Sequence, residues 1–292
     1  MNYRYRAMIF VALALGFALP ARGFAATREL IVNPASVLQG EPALVRVVGA
    51  TGGAGTTLTM NGALVPLLMF RGESVAVVGT DLRQAPGSYP IRAKFSNGTV
   101  ATTTLVVMER PRVVLEAPAG IPDELGGDTA AGQTALLARL AKENALLAGL
   151  WTNPRMLWTE PFRFPVANPI ITDQYGYLRS GGAGEIAHKG TDFRAAVGTP
   201  VYAMNRGVVR LSRAFTVYGN TVVVDHGRGI QTLYLHLSRI AVKVGQLVVP
   251  GQLIGHSGQT GYASGPHLHV SMRISGISVD PERFLALFSV GR

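Results

Sequence analysis

The residues best suited to chemistry come from two short segments. In Pro266-His267-Leu268-His269-Val270 two histidines stand two residues apart. In Ala187-His188-Lys189-Gly190-Thr191-Asp192-Phe193 a carboxylate follows a histidine by four. On a strand, residues i and i+2 project from the same face, so His267 and His269 present their imidazoles side by side. A histidine and an aspartate from a second segment can then complete a site for a first-row metal. All six histidines, His188, His226, His236, His256, His267 and His269, lie beyond Ile170. The chain has no cysteine, which excludes thiol catalysis, disulfides, Cys-ligated zinc and iron–sulfur clusters. Any transition metal must be held by histidine and carboxylate. A single buried histidine is more often a hydrogen-bonded core residue, and it is the pairing of these two segments among glycine-rich loops that favours a metal.

Other chemistries lack a motif. Ser257 sits in Gly255-His256-Ser257-Gly258, without the spacing of a serine-nucleophile elbow. The glycine-rich stretch Gly49–Gly55 fits neither a dinucleotide fingerprint nor a P-loop and reads as a turn. The 27 Lys and Arg against 17 Asp and Glu give a formal charge of +10, which favours an acidic partner. No basic run is interleaved with aromatics, so nucleic acid is not the expected partner, and an anionic matrix outside the cytoplasm fits the charge equally well.

The elements that must position these residues are mostly short strands. Thirty-five glycines and seventeen prolines in 292 residues exceed average usage without reaching low complexity, as in turn-rich β proteins. Ala43–Val48, Thr57–Met60, Val65–Phe70, Val75–Val78, Ser88–Phe95 and Val100–Val107 read as strands. Asn61-Gly62 and Asn97-Gly98 between them predict type I′ hairpin turns, and the pattern predicts an immunoglobulin-like sandwich over 26–110. Residues 111–161 read as a linker broken by Pro111, Pro118, Pro122 and Gly126-Gly127, with one amphipathic helix over Thr129–Leu150 that serves as packing element or spacer. Beyond it, Val201–Ala203, Val208–Leu211, Asn220–Asp225, Ile230–Leu235 and His267–Ile274 read as strands of a second β domain over 162–292.

Residues 1–25 read as a cleaved signal peptide. Arg4 and Arg6 precede the apolar run Ala7–Leu19, and Gly23-Phe24-Ala25 supplies small side chains at a cleavage site. As a helix that run rises only about 20 Å, short of a roughly 30 Å hydrocarbon core. Export to the periplasm or cell envelope, or beyond it, is the expectation, with no integral membrane segment in the mature protein.

Residues Phe162 to Leu285 resemble the lysostaphin/LytM-type zinc metallopeptidases, peptidoglycan endopeptidases. The stretches that carry the resemblance are HKGTDFRAAVGTPVYAMNRGVV (188–209), GNTVVVDHGRGIQTLYLHLS (219–238), VKVGQLVVPGQLIGHSGQTGYASGPHLHV (242–270) and VDPERFL (279–285). The resemblance implies that His188, Asp192 and His269 are ligands to one Zn2+ and that His236 and His267 are catalytic. It also implies an antiparallel β core with a groove that takes the peptide cross-links of peptidoglycan. Three protein ligands leave zinc an open position for water, and with Asp192 spent as a ligand a neutral imidazole is the natural base. Tyr175, Tyr177 and Arg179 are expected to line the groove, whose glycine-rich walls favour small residues. His226 is expected to be structural and His256 a loop or cleft-wall residue. Some relatives are inhibited by an upstream segment that ligates zinc, a role open to Asn153 in Trp151–Glu160. The rival reading is a non-cleaving wall module that activates an amidase. The sequence leaves the scissile bond and the oligomeric state open.

Overall fold

Alternating apolar residues build two sheets from the first half of the chain. The computed structural model describes residues 27–50, 55–116, 129–181 and 184–288. The signal-peptide reading, the turn at Thr51–Gly53 and the breaks at Pro118, Pro122 and Gly126-Gly127 lie outside the described residues. One sheet has the antiparallel order Glu29–Asn33, Pro42–Val48, Glu73–Gly79, Leu68–Phe70. The other runs Ser36–Leu38, Val100–Met108, Gly87–Lys94, Thr57–Met60, Ala63–Val65, and its first pair is parallel. Leu30, Val45, Val47, Ala76 and Val78 of the first sheet share one core with Leu58, Ile91, Ala93, Leu105 and Val107 of the second.

Two local readings need correction. The sequence predicts one strand over Val65–Phe70, whereas Ala63–Val65 ends in one sheet and Leu68–Phe70 begins in the other. Pro66 separates them: it has no N–H for a ladder and a fixed φ, so the chain changes sheets there. Asn61 and Gly62 both have positive φ, as a type I′ turn requires. At the second pair only Gly98 does; the Gly98 N–H bonds to the Phe95 carbonyl and the Thr99 N–H to Asn97 Oδ1. That is a longer loop closed by a glycine in the left-handed region.

The second half is organised around an antiparallel sheet in the order Ile171–Asp173, Thr191–Arg194, His267–Ile274, Ile230–Leu237, Asn220–Gly227, Gly207–Ala214, Leu247–Val248. Ile277–Val279 pairs with the far half of His267–Ile274. A smaller sheet joins Pro200–Tyr202, Leu253–His256 and Arg239–Ile240. His256 is thus a strand residue, not a loop residue. Several short strands near the first motif, Leu178–Gly181, Gly184–Ala187 and Thr191–Arg194 among them, are too brief to stand out in the sequence.

Strand Glu73–Gly79 is buried on both faces. Ala76 and Val78 face the sandwich core, while Val75 and Val77 join Leu68 and Phe70 in the core of the second half. Period-2 alternation splits this apolar run between two cores, which fixes the two halves against each other. Trp158 and Phe288 pack against Phe70 at this junction, and Phe162 and Phe284 pack against them in turn, with ring centroids 5.0–5.4 Å apart in the nearest pairs.

The described residues of 111–161 are packed against the rest of the chain. Val114–Glu116 forms a parallel pair with Leu178–Gly181, and Trp158 is part of the shared core. Helix α1, Ala130–Ala148, is capped by the Thr129 side chain, which accepts from the Gly132 N–H. Leu136 and Leu147 are its buried apolar anchors. Helix α2, Pro281–Leu287, starts at Asp280, whose carboxylate accepts from the Glu282 and Arg283 N–H groups. Among the described residues no helix is long and apolar enough to cross a membrane.

His226, in the strand Asn220–Gly227, is fully buried and hydrogen-bonded. Its Nδ1 lies 2.8 Å from the Arg206 carbonyl, its Nε2 2.8 Å from the Thr232 hydroxyl, and the Phe162 ring packs edge-on against it. Burial pushes its pKa down to about 4. The unfolded chain binds this proton below its ordinary value of about 6.5, so stability is full above that pH and falls as pH drops towards 4. At pH 5 the loss from this residue is about 2 kcal/mol. Denaturant unfolding at pH 7 and pH 5 should show a difference smaller by about that amount in His226→Gln, which keeps a donor and an acceptor but does not titrate.

Candidate metal centre

The two motifs meet on adjacent strands. Asp192 is the ladder partner of His269, and His188 enters from the turn just before Thr191. His188 Nε2, His269 Nδ1 and Asp192 Oδ1 converge: 3.0 Å between the nitrogens, 3.1 and 2.8 Å from each to the carboxylate oxygen. They form the one group of three or more metal-capable side chains within ligating reach among the described residues.

The surroundings decide which ring atoms carry hydrogen. His188 Nδ1 lies 2.9 Å from the Gln174 carbonyl, which can only accept, so Nδ1 holds the proton and Nε2 presents a lone pair. Ser271 gives its single hydroxyl proton to the Lys189 carbonyl at 2.8 Å. Its oxygen therefore accepts from His269 Nε2 at 2.9 Å, which leaves the His269 Nδ1 lone pair facing inward. Two imidazole lone pairs and a carboxylate oxygen thus point at one spot without a hydrogen among them. Such a set calls for a cation, and N,N,O donors suit zinc.

The titration behaviour of the bare site agrees. Burial alone lowers the His188 pKa, yet the adjacent Asp192 carboxylate outweighs it and the net shift is upward. Burial likewise opposes ionisation of Asp192, but His188 and His269 hold its pKa well below the usual carboxylate range. Burial keeps the His269 pKa low. A proton is the alternative occupant, so metal affinity falls with falling pH.

His236 and His267 flank this centre with ring centroids 4.8 Å apart. The Thr260 carbonyl fixes the Nδ1 proton of His236 and the Gly265 carbonyl that of His267, both at 2.8 Å. Each Nε2 is therefore a free acceptor; that of His267 lies 3.8 Å from Asp192 Oδ2. Burial, with the neighbouring His267 and His269, pushes the His236 pKa down to about 3. His236 also has φ 58°, a left-handed conformation costly for a residue with Cβ and frequent at functional positions.

Two supporting residues escape a reading of motifs alone. Gly190 packs so closely that a Cβ there would collide with the His269 ring and lie 2.6 Å from the Val270 carbonyl. Ser271, two residues after His269 on the same face, sets that ligand's tautomer. Ser271→Ala should weaken zinc affinity about tenfold or more, since outer-shell partners contribute on that scale. Competition with a chromogenic chelator measures it.

Residues 186–281 match the model of peptidase family M23. This segment is a peptidase family M23 domain. It is 50% identical over 93 residues to the peptidoglycan DD-endopeptidase ShyA of Vibrio cholerae, a match covering 32% of this chain and 22% of that protein. The DD-carboxypeptidase/endopeptidase Mpg of Neisseria meningitidis is 44% identical over 94 residues, with the same two shares. The matched segment thus spans about a fifth of the length of these curated relatives. A crystal structure assigned to peptidase M23 from Pseudomonas aeruginosa superposes with a TM-score of 0.61 at 25% identity, over 86% of this chain and 95% of that one. That likeness extends beyond the M23 domain into the N-terminal half.

The M23 centre opens into a groove of about 870 Å³. Its walls differ from the expected glycine-rich ones. Among the described glycines only Gly265 lines it, while Gly190, Gly219, Gly258 and Gly261 pack behind against neighbouring groups. Leu136, Leu137 and Leu140 of α1 form an apolar wall, and Arg83, Lys189 and Arg194 bring positive charge that Asp173 and Glu185 offset in part. The helix is held there by Glu143, whose carboxylate accepts from the Val217 and Tyr218 N–H groups at 2.9 and 3.1 Å. Thus α1 is part of the groove, beyond the packing role read from its leucines.

Arg179 lines the groove, but its guanidinium is engaged by Asp173 and the Glu116 carbonyl. Tyr175 and Tyr177 do not line it. Tyr175 is buried at the junction of the two halves and donates to the Ser278 carbonyl at 2.7 Å, and Tyr177 donates to Gln174. Their places follow from the tight turn at Gly176, φ 89°, which directs both rings away from the ligand. Asn153 is also remote. Its N–H donates to Asp225 Oδ2 and its carbonyl accepts from the Arg228 N–H, at the opposite end of strand Ile230–Leu237 from His236. It does not ligate the centre in this structure.

Proposed function

We propose that the chain is an exported zinc endopeptidase that hydrolyses peptide cross-links of peptidoglycan. The observation that carries this reading is the set of four imidazoles with fixed tautomers. Two of them and Asp192 aim donors at one point, and the other two offer free Nε2 acceptors beside it. His188, Asp192 and His269 would hold the metal. Zinc bound there lowers the pKa of a coordinated water to about 7 and polarises a carbonyl.

The protein's own residues account for the remaining steps. The neutral Nε2 of His236 or His267 takes a proton from the attacking water. For His236 burial disfavours the imidazolium so formed, which therefore gives the proton up readily to the leaving amine nitrogen. In its protonated state the same ring can donate to the developing oxyanion. The groove holds an extended peptide between the leucines of α1 and the segment Ala263–Pro266, and its cations draw in an anionic substrate.

Export rests on the basic, apolar and small-residue pattern of residues 1–25; the substrate named for the relatives also belongs in the envelope. The two facing N-terminal sheets are read as an immunoglobulin-like unit over 26–110, followed by the helical segment 111–161 and the metallopeptidase domain 162–292.

A purified cross-linked muropeptide dimer tests the activity. The mature protein should convert it to monomers, stop when zinc is chelated and resume when zinc is restored. Zinc binding without cleavage of any dimer would favour the regulatory reading instead.

A further inference from the structure

The ligand His188 is held by a loop that the N-terminal half grips. Three hydrogen bonds tie His188 to Gln174–Tyr177: its Nδ1 to the Gln174 carbonyl, its N–H to the Tyr177 carbonyl at 2.7 Å, and its carbonyl to the Gly176 N–H at 2.8 Å. The other side of this loop faces Arg110, just beyond the last long strand of the N-terminal sandwich. Arg110 Nη1 donates to the Tyr175 carbonyl at 3.4 Å, and its guanidinium stands over the Tyr175 ring, 5.5 Å from the centroid.

Arg110 is itself fixed from both halves. Its Nε donates to the Gln39 carbonyl at 2.7 Å, and its Nη2 lies 3.5 Å from Glu41 and 3.4 Å from Asp280, the cap of α2. Only 16% of its side chain is exposed. The contact is close. A Cβ on Gly176 would lie 2.7 Å from Arg110 Cδ, and one on Gly40 would collide with the Tyr175 ring. Both glycines have positive φ, so the loop and the N-terminal half fit together only with glycine at each place.

We propose that Arg110 is a positioning residue for the metal centre. Acting from the N-terminal half, it sets the Gln174 carbonyl that orients His188. The inference rests on the reading of His188 as a metal ligand. It gives the N-terminal half a supporting role at the centre.

The test is zinc affinity of the full chain by chelator competition, together with the denaturant midpoint of the metal-free protein. Arg110→Ala should weaken zinc binding about tenfold, within the range seen for outer-shell partners. Arg110→Lys should remain weaker than wild type, because an ammonium keeps charge between Glu41 and Asp280 but cannot fork to both carbonyls. Arg283→Ala is the comparison: it removes the 3.1 Å pair with Glu41 at the same junction without touching the loop. It should change zinc affinity less than twofold even where it lowers the midpoint. Unchanged affinity in Arg110→Ala, or an equal loss in Arg283→Ala, overturns the proposal. Absence of zinc binding in the wild type overturns the metal reading itself and the role of Arg110 with it.

Discussion

His269→Ala should abolish zinc binding and, with it, all hydrolysis. Its Nδ1 is one of three converging donors, and among the described residues no other side chain joins that group. Structural zinc sites in small zinc-binding domains draw on the order of 10 kcal/mol from their ligands together, which sets the scale here. Loss of one of three donors, about a third of that, should then weaken binding by roughly 10²–10³-fold. Asp192 also loses its 2.8 Å partner and keeps His188 at 3.1 Å and, farther off, His267 at 3.8 Å. The backbone ladder of His269 with Asp192 and Leu235 does not need the imidazole, so the variant should stay folded, with an unchanged far-ultraviolet spectrum. Metal analysis after dialysis should find about one zinc per wild-type chain and none above background in the variant. Should alanine unfold the protein, His269→Gln keeps the volume and a polar terminus.

His236→Ala should separate catalysis from metal binding. The ring stands outside the donor set, its centroid 6.0 Å from that of His269. Zinc content should therefore match wild type. What is lost is a proton acceptor fixed by the Thr260 carbonyl, and general acid–base groups typically contribute 10²–10⁴-fold. kcat on a cross-linked muropeptide should fall by about that factor with little change in KM. A fall in zinc content parallel to the fall in kcat would make His236 a structural support of the ligands.

Much of the fold was legible where local pattern and tertiary demand agree. Val75–Val78 reads as a strand because four apolar residues in a row fit a segment buried on both faces. His267–Ile274 is found at the bounds its pattern predicts. Pro66 could have warned of the break in Val65–Phe70. The short strands around His188 could not be read, since three or four residues carry no period and owe their pairing to their neighbours in the fold.

At the site, spacing pointed to His188, Asp192, His267 and His269, and the structure brings them together with His236. The residues that orient them were out of reach. Ser271 and Arg110 matter because of register and close approach, which no motif encodes, and Gly190 stands inside the first motif without its approach to the His269 ring being readable there. Tyr175 and Tyr177 illustrate the converse: nearness in sequence to a ligand says little about facing the same way, and one turn at Gly176 sends both elsewhere. The leucines of α1 announced a packing face. That the same face borders the groove depends on Glu143 finding the Val217 and Tyr218 amides, 74 and 75 residues away.

The most direct test of the central claim is digestion of purified peptidoglycan by the mature protein, with released fragments identified by mass spectrometry and His269→Ala run in parallel. The metal-centre account predicts zinc-dependent loss of cross-linked dimers and a matching gain of monomers with wild type, and no change with the variant. Their masses name the scissile bond. Equal release by both proteins, or release that persists when zinc is removed, would contradict it.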